Sequence, residues 1–231
     1  MTDGPGSVAP AWHTIVLVIV LLVNSAASAR VHGLIGIRAL NPDPQIARYL
    51  TAIIFEWLIV FYIAWGVRLR GGSLAGLIGG AWPRWRAVLR DGAIAIVFLV
   101  VANIVYGTLV KLLRVDPGAM LKTIVPRTPT EIAVYLVLAL SAGFAEEVTF
   151  RGYLQSQFTT LTRSVAAAVV LQGVLFGLSH GYQGPQLMLI ITVYGCLFGV
   201  LAVWRRSLRP GMMSHAMQDA VVILFARAIS R

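Results

Sequence analysis

The amino-acid sequence predicts an all-α, polytopic membrane protein with about seven to eight transmembrane or interfacial helices around a membrane-embedded polar cavity. Of its 231 residues, 58% are hydrophobic and only 12% are charged, and the mean hydropathy is +0.81. A soluble domain is roughly half apolar and a quarter charged. The apolar residues form continuous runs near the length of a bilayer, without the period-two alternation of a transmembrane barrel. We therefore expect one membrane domain over residues 1–231 and no separate soluble domain.

Seven apolar runs predict membrane-spanning helices, because a backbone in lipid must satisfy its own hydrogen bonds. They cover about residues 12–29, 46–66, 90–110, 131–150, 164–180, 186–204 and 212–228. Residues 1–11 are polar without Lys or Arg, which indicates a flexible tail. The stretch from Gly66 to Arg90 mixes arginines with Trp82 and Trp85, a composition typical of the membrane interface. It predicts a short surface helix, and Pro83 suits a first turn.

The net charge of +10 comes from cations that lie between the apolar runs. There they contact lipid headgroups and influence topology, so we expect the lipid bilayer as a partner and no nucleic acid. The protein is expected to be integral and multi-pass, in the cell membrane if it is bacterial. The single cysteine, Cys196, excludes an intrachain disulfide and a cysteine-built metal cluster.

Few ionisable side chains fall within the predicted spans. Each costs roughly 2.5–3.5 kcal/mol to insert, so each is a candidate functional residue. They are Glu56, Glu146, Glu147, Arg151, His180, His215 and Asp219. All but Glu56 form three short groups near the ends of three predicted spans. We expect these groups to converge on a wet cavity, because isolated charges are disfavoured in lipid.

The first group contains Glu146, Glu147 and Arg151. Helical geometry places Glu147 and Arg151 one turn apart on the same face, which predicts an ion pair between them. Glu146 points about 140° away from Arg151, at about 100° per residue, and is therefore left to face a pocket. A purely interfacial cluster without chemistry is the alternative interpretation of this group.

The second group ends in His180, and the third group begins with His215. His180 follows Phe176 by one turn at the end of an apolar run, where the helix dipole could simply stabilise it. His215 and Asp219 are also one turn apart, and a local hydrogen bond is the structural alternative.

Taken together, however, the three groups suit hydrolysis. A carboxylate activates water, a histidine assists proton transfer and further polar groups stabilise an oxyanion.

The same three groups resemble the signature of the CPBP family of intramembrane proteases, also called the Abi or type II CAAX prenyl endopeptidase family. Its pattern reads E-E-x-x-x-R, then F-x-x-x-H, then H-x-x-x-N or H-x-x-x-D. Here these positions are occupied, in order, by Glu146, Glu147, Arg151, Phe176, His180, His215 and Asp219. The motif-bearing core covers residues 131–225. The last position is Asp rather than Asn, and an Asp donates a hydrogen bond only when protonated.

This resemblance implies an intramembrane endopeptidase that acts on a membrane-associated or CAAX-like peptide or protein, lipidated or not. Glu146 would be the general base on water and His180 its partner. His215 and Asp219 would hold the oxyanion or a second proton. Glu147 and Arg151 would brace the site, and Phe176 would position His180. We favour catalysis without a cofactor, and the competing interpretation is a zinc site formed by Glu146, His180 and His215.

Two functions of another class remain as alternatives. A non-catalytic immunity or scaffold protein of the same fold would keep the pocket without turnover, although no motif position is lost here. A transporter would place proton-relay carboxylates near mid-membrane and show an internal repeat. The predicted spans put the charged groups near their ends, and the sequence shows no repeat.

Overall fold

The computed structural model describes residues 6–31, 34–81, 84–116 and 124–229, with side chains as far as residue 221. Within these residues the chain is helical and contains no strand. The helices are α1 (Ala11–Arg30), α2 (Pro44–Arg68), α3 (Leu74–Ile78), α4 (Trp85–Leu112), α5 (Pro129–Thr162), α6 (Val165–Leu178), α7 (Pro185–Arg205) and α8 (Arg209–Ile229). A single 3₁₀ turn, Gly181–Gln183, lies between α6 and α7.

Five of the described helices, α1, α2, α4, α5 and α7, are long and apolar enough to cross a membrane. The helix α6 is equally apolar but has only 14 residues, and α8 carries the polar run around His215. Each predicted span corresponds to one of these helices. The fold is therefore all-α, and the protein is an integral, multi-pass membrane protein.

Helix starts follow from local capping residues. The Asp43 carboxylate accepts hydrogen bonds from the backbone N–H groups of Gln45 and Ile46 at 2.7 and 3.2 Å, and Pro44 occupies the first turn of α2. In the same way, the Thr128 hydroxyl caps α5 through the N–H of Glu131. Both arrangements satisfy donors that a helix start leaves unpaired.

The helix α5 is longer than the sequence prediction, which ended a span at residue 150 and placed a connection at 151–163. It runs for 34 residues and includes a π-helical stretch, Glu147–Leu154. Its last turns are polar, and buried hydrogen bonds hold them in the bundle. Gln155 donates to the carbonyl of Gly199, and Gln157 donates to that of Ala9. Tertiary hydrogen bonds thus extend a helix that hydropathy alone would end.

The N-terminal segment also differs from the expected loose tail. Val8 N–H donates to Gln157 Oε1 at 3.0 Å, Ala9 is fully buried, and Thr160 donates to the carbonyl of Gly6. Residues 1–5 lie outside the described residues. The short surface helix in the Arg/Trp-rich stretch is α3, which ends before Pro83; Trp82 and Pro83 also lie outside the described residues.

Helices α6 and α7 pack closely through small residues. Gly173 and Gly177 of α6 face α7, and a Cβ atom at Gly177 would lie 2.0 Å from Thr192 Oγ1. On α7, Gly195 approaches Gly173 in the same way, with its Cβ position 3.1 Å from the Gly173 Cα. Small residues four apart allow this close approach of two backbones in lipid. The tight contact fixes the end of α6, where His180 follows.

Candidate active site

Two adjoining cavities, of about 130 and 230 Å³, lie at the end of the bundle where α1 connects to α2 and α6 to α7. They share a wall formed by Leu34, Ala52, Glu56, Glu146, His180 and Tyr182. The larger cavity is also lined by Phe176, His215 and Asp219. The prediction that the three polar groups converge on one cavity is therefore confirmed. The described lining residues include no Lys or Arg.

Glu147 lies behind the cavity and joins two of the groups. Its Oε1 atom is 3.0 Å from Arg151 Nη1 and 3.1 Å from His215 Nδ1, and the side chains of Glu147 and Arg151 are about 1% and 0% exposed. The predicted ion pair between Glu147 and Arg151 is thus confirmed. The contact with His215 was not predicted, because the spacing along one helix cannot show which other helix lies beside it.

Arg151 is enclosed by aromatic rings as well as by Glu147. Its guanidinium carbon lies 4.2 Å from the Phe176 ring centroid and 5.1 Å from that of Phe198. The Nη2 group also donates to the Gly195 carbonyl at 3.2 Å. These contacts compensate a buried cation through hydrogen bonding and cation–π attraction.

Glu146 faces the cavities, as its helical position predicted. Its side chain is 24% exposed, and Oε2 lies 3.5 Å from His215 Nε2. This oxygen is buried and makes no hydrogen bond among the described residues. The sequence placed Glu146 near the end of a span; it lies instead near the middle of α5, immediately before the π-helical stretch. Such stretches are frequent at functional sites because they change the direction of side chains locally.

His180 is held by the residue one turn before it. Its Nδ1 atom lies 2.8 Å from the Phe176 carbonyl oxygen, and the two rings make an edge contact at 4.8 Å. Phe176 therefore contacts both His180 and Arg151, and its role in positioning His180 stays a prediction. Within the described residues, His180 and Glu146 make no direct hydrogen bond or ion pair, although both line both cavities.

His215 lies between three carboxylates. Nδ1 contacts Glu147, while Nε2 faces Glu146 at 3.5 Å and Asp219 Oδ2 at 3.9 Å. The separation from Asp219 is too long for a hydrogen bond. The local His–Asp hydrogen bond, the structural alternative for this group, is therefore not formed.

Three further side chains of the cavity were not recognised from the motifs. Glu56 of α2 accepts a hydrogen bond from Ser141 at 2.6 Å and lines both cavities. Tyr182, in the turn after α6, also lines both, and burial raises the pKa of its hydroxyl, which therefore stays protonated. Tyr194 of α7 lines the larger cavity, and its buried hydroxyl has no hydrogen-bond partner among the described residues. Glu56 alone gave a sequence signal, as a charge within an apolar run.

The donor atoms do not form the zinc site suggested by the resemblance. Among the described residues, no group of three His, Cys, Asp or Glu side chains is placed to hold a metal ion. Glu146, His180 and His215 line one cavity, and both histidines engage their Nδ1 atoms with other partners, the Phe176 carbonyl and Glu147, which leaves Nε2 as the nitrogen that a metal would use. As they are placed, however, the three side chains do not form a three-ligand zinc centre, and catalysis without a metal stays a prediction.

Comparison with known proteins gives one match. No curated protein and no solved structure matches the chain. Residues 128–221 match the profile of the Rce1-like, type II CAAX prenyl endopeptidase family. This range begins at the capping Thr128 of α5, includes all seven motif positions and ends on α8 just after Asp219. This family is one of peptidases, and residues 128–221 of the chain are similar to it.

Proposed function

We propose that the protein is an intramembrane endopeptidase in which Glu146 activates a water molecule. The observation that carries this proposal is the difference between the two adjacent glutamates. Glu147 is buried and engaged by Arg151 and His215, whereas Glu146 lines both cavities with a side chain that is 24% exposed, and its Oε2 atom makes no hydrogen bond among the described residues. A general base needs such an uncommitted acceptor beside the substrate.

In the proposed reaction, Glu146 takes a proton from water while the water oxygen adds to the scissile carbonyl carbon. The carbonyl oxygen becomes an oxyanion, and the C–N bond of the tetrahedral intermediate then breaks. His180, on the same cavity wall, shares the proton that Glu146 has taken and passes it to the leaving amine. The products are a carboxyl group and a free amine, so atoms and charges balance.

Candidate donors for the oxyanion line the larger cavity. His215 Nε2 is held toward the cavity because Nδ1 donates to Glu147, and Nε2 donates as well when the ring is protonated. Asp219 donates only when protonated. We propose that the hydroxyl of Tyr194 supplies a further donor, since it is buried in the same cavity without a partner among the described residues. Preorganised donors of this kind stabilise the charge that develops in the transition state.

The substrate is proposed to be a membrane-associated peptide or a CAAX-like protein segment. The smaller cavity supports this, because it lies between α1, α2 and α5 and apolar residues such as Leu21, Phe55 and Ile59 form part of its lining. An extended peptide could place its scissile bond at Glu146 with apolar groups toward α1 and α2.

The test is the change of Glu146 to Gln, assayed in proteoliposomes with a quenched-fluorescent CAAX peptide, farnesylated in one arm and unmodified in the other. Loss of a general base should reduce turnover by on the order of 10²–10⁴-fold. The control is Asp116→Asn, which removes an exposed carboxylate outside the residues lining the cavities. Both variants should retain the thermal unfolding midpoint of the unchanged protein. Turnover by Glu146→Gln above about a tenth of the unchanged protein's would contradict the assigned base.

A carrier function is the second candidate, because Glu56 and Glu146 lie near the middles of α2 and α5, where proton-relay carboxylates occur. The same proteoliposomes, loaded with a pH-sensitive dye, measure proton flux. Peptide cleavage without a Glu146-dependent flux supports the peptidase. A Glu146-dependent flux without cleavage of either peptide supports the carrier.

A further inference from the structure

The start of α4 and the end of α7 meet around a buried aspartate on the opposite end of the bundle from the cavities. The Asp91 side chain is 1% exposed, and its Oδ1 atom lies 3.3 Å from Arg205 Nη2 and 3.4 Å from Arg90 Nη2. Arg209 Nε lies 3.7 Å from Oδ2. One carboxylate is thus in contact with three guanidinium groups, and these four side chains carry a formal net charge of +2.

Two of these arginines are partly accessible to a further anion. Arg90 has a side chain that is 58% exposed. The Arg205 side chain is 19% exposed, and its buried Nε atom has no hydrogen-bond partner among the described residues. Because both guanidinium groups contact the same oxygen of Asp91, they lie side by side. An oxyanion placed between them would meet a charge that Asp91 offsets only in part.

An apolar groove of about 460 Å³ begins directly beside this cluster and runs along the membrane-facing side of α4 and α7. Its walls include Ile94, Val97, Val101, Leu197, Val200 and Trp204. Trp204 directly precedes Arg205, and the Arg205 guanidinium lies 5.3 Å from the Trp204 ring. An indole beside arginines is typical of the headgroup level of a bilayer. The groove therefore extends from headgroup level toward the hydrocarbon core.

We propose that this groove binds an acidic phospholipid, with its phosphate at Arg90 and Arg205 and an acyl chain along the apolar walls. Charge complementarity selects this occupant. A net anionic headgroup is attracted by the +2 cluster, whereas a choline headgroup would bring a cation toward it. An apolar helix of another protein would fill the walls but leave the cluster without its anion. The site is independent of the proposed peptidase function.

The test uses tryptophan fluorescence in phosphatidylcholine nanodiscs that contain a minority of brominated lipid. Bromine on the acyl chains quenches nearby indoles, and comparison with Trp204→Phe isolates the contribution of Trp204. Brominated phosphatidylglycerol should quench Trp204 at a lower mole fraction than brominated phosphatidylcholine. Since one arginine near a charged surface contributes about 1 kcal/mol, Arg90→Gln should reduce this preference about fivefold.

Two controls make the result decisive. Arg38→Gln removes an exposed arginine in the α1–α2 connection, far from the groove in sequence and position, and should leave the preference for phosphatidylglycerol unchanged. Arg205→Gln should lower the preference further; if that variant does not fold, the exposed Arg90 still tests the site. Equal quenching by the two brominated lipids, or an equal loss with Arg38→Gln, would overturn the proposal.

Discussion

At the scale of single residues, Glu147 connects more of the site than its position beside Glu146 suggests. One of its oxygens contacts both Arg151 and His215. It therefore sets which nitrogen of His215 faces the cavity, in addition to neutralising Arg151. The carboxylate that does no chemistry in the proposed mechanism is the one that organises the groups that do.

We predict that Glu147→Ala and Arg151→Ala each lower the free energy of unfolding by about 3–5 kcal/mol, because each leaves an uncompensated buried charge. The double variant should lose less than the sum of the two single losses, by about 0.5–3 kcal/mol. Denaturant unfolding in mixed micelles measures the four proteins. Arg151→Ala combined with Asp43→Ala, a cap on a different helix, is the control and should be additive. Additive losses for Glu147 and Arg151 as well would show that the two do not act as a pair.

Tyr194 gives the second prediction at this scale. If its hydroxyl binds the oxyanion, Tyr194→Phe should lower kcat by about 10²-fold and leave KM nearly unchanged, because the interaction forms only in the transition state. Tyr49→Phe is the matched control: its hydroxyl is also buried, but it contacts Gln45 and the Ile124 carbonyl and lies outside the cavity lining. A kcat for Tyr194→Phe close to that of Tyr49→Phe would remove Tyr194 from the mechanism.

At the scale of the helices, hydropathy predicted the elements well and their ends less well. Seven apolar runs became seven helices because burial in lipid requires internally bonded backbone, whatever the neighbours are. The continuation of α5 past residue 150 was missed. Gln155 and Gln157 look like loop residues in a hydropathy profile, and only contacts with Gly199 and Ala9 make them helical.

For the site too, contacts within one helix could be predicted from the sequence and contacts between helices could not. Spacing on one helix was sufficient for the Glu147–Arg151 pair and for the direction of Glu146. It could not supply contacts between helices, such as that of Glu147 with His215 or that of Glu56 with Ser141. The buried His13 was also missed: its Nδ1 contacts the Tyr153 hydroxyl at 2.7 Å, and its ring stacks on Tyr62.

The packing of α6 on α7 gives a prediction for a helix pair. A Cβ atom at Gly173 would lie 2.5 Å from Cys196 Sγ, so Gly173→Ala should lower the free energy of unfolding by about 1–3 kcal/mol. Adding Cys196→Ala removes the closest atom and should restore part of the loss, since backbone atoms of Cys196 and Thr192 remain 3.1 Å from the Cβ position. Gly107→Ala on α4 is the control, because nothing lies within 4 Å of its Cβ position; it should be neutral or slightly stabilising. Denaturant unfolding curves give all three values, and an absence of rescue by Cys196→Ala would argue against this contact.

At the scale of the whole molecule, the arrangement of its metal-ligating side chains predicts how the purified enzyme responds to a chelator. The described residues hold no group of three metal-ligating side chains, and a zinc hydrolase needs three ligands and a free base. We expect chelator-stripped protein to retain its peptidase activity and to contain zinc well below one equivalent by elemental analysis. Stoichiometric zinc, with activity lost on stripping and restored by zinc, would overturn this expectation while leaving the peptidase assignment in place.

The length of α6 has a consequence for the bilayer itself. Its 14 residues extend about 21 Å, whereas the hydrocarbon core is about 30 Å thick. The bilayer accommodates a helix shorter than its hydrocarbon core by thinning locally beside that helix. Because His180 follows α6, thinning of this kind would bring the headgroup region and its water toward the level of the cavity. The short helix would thus supply a hydrolytic site inside the membrane with the water that its chemistry consumes.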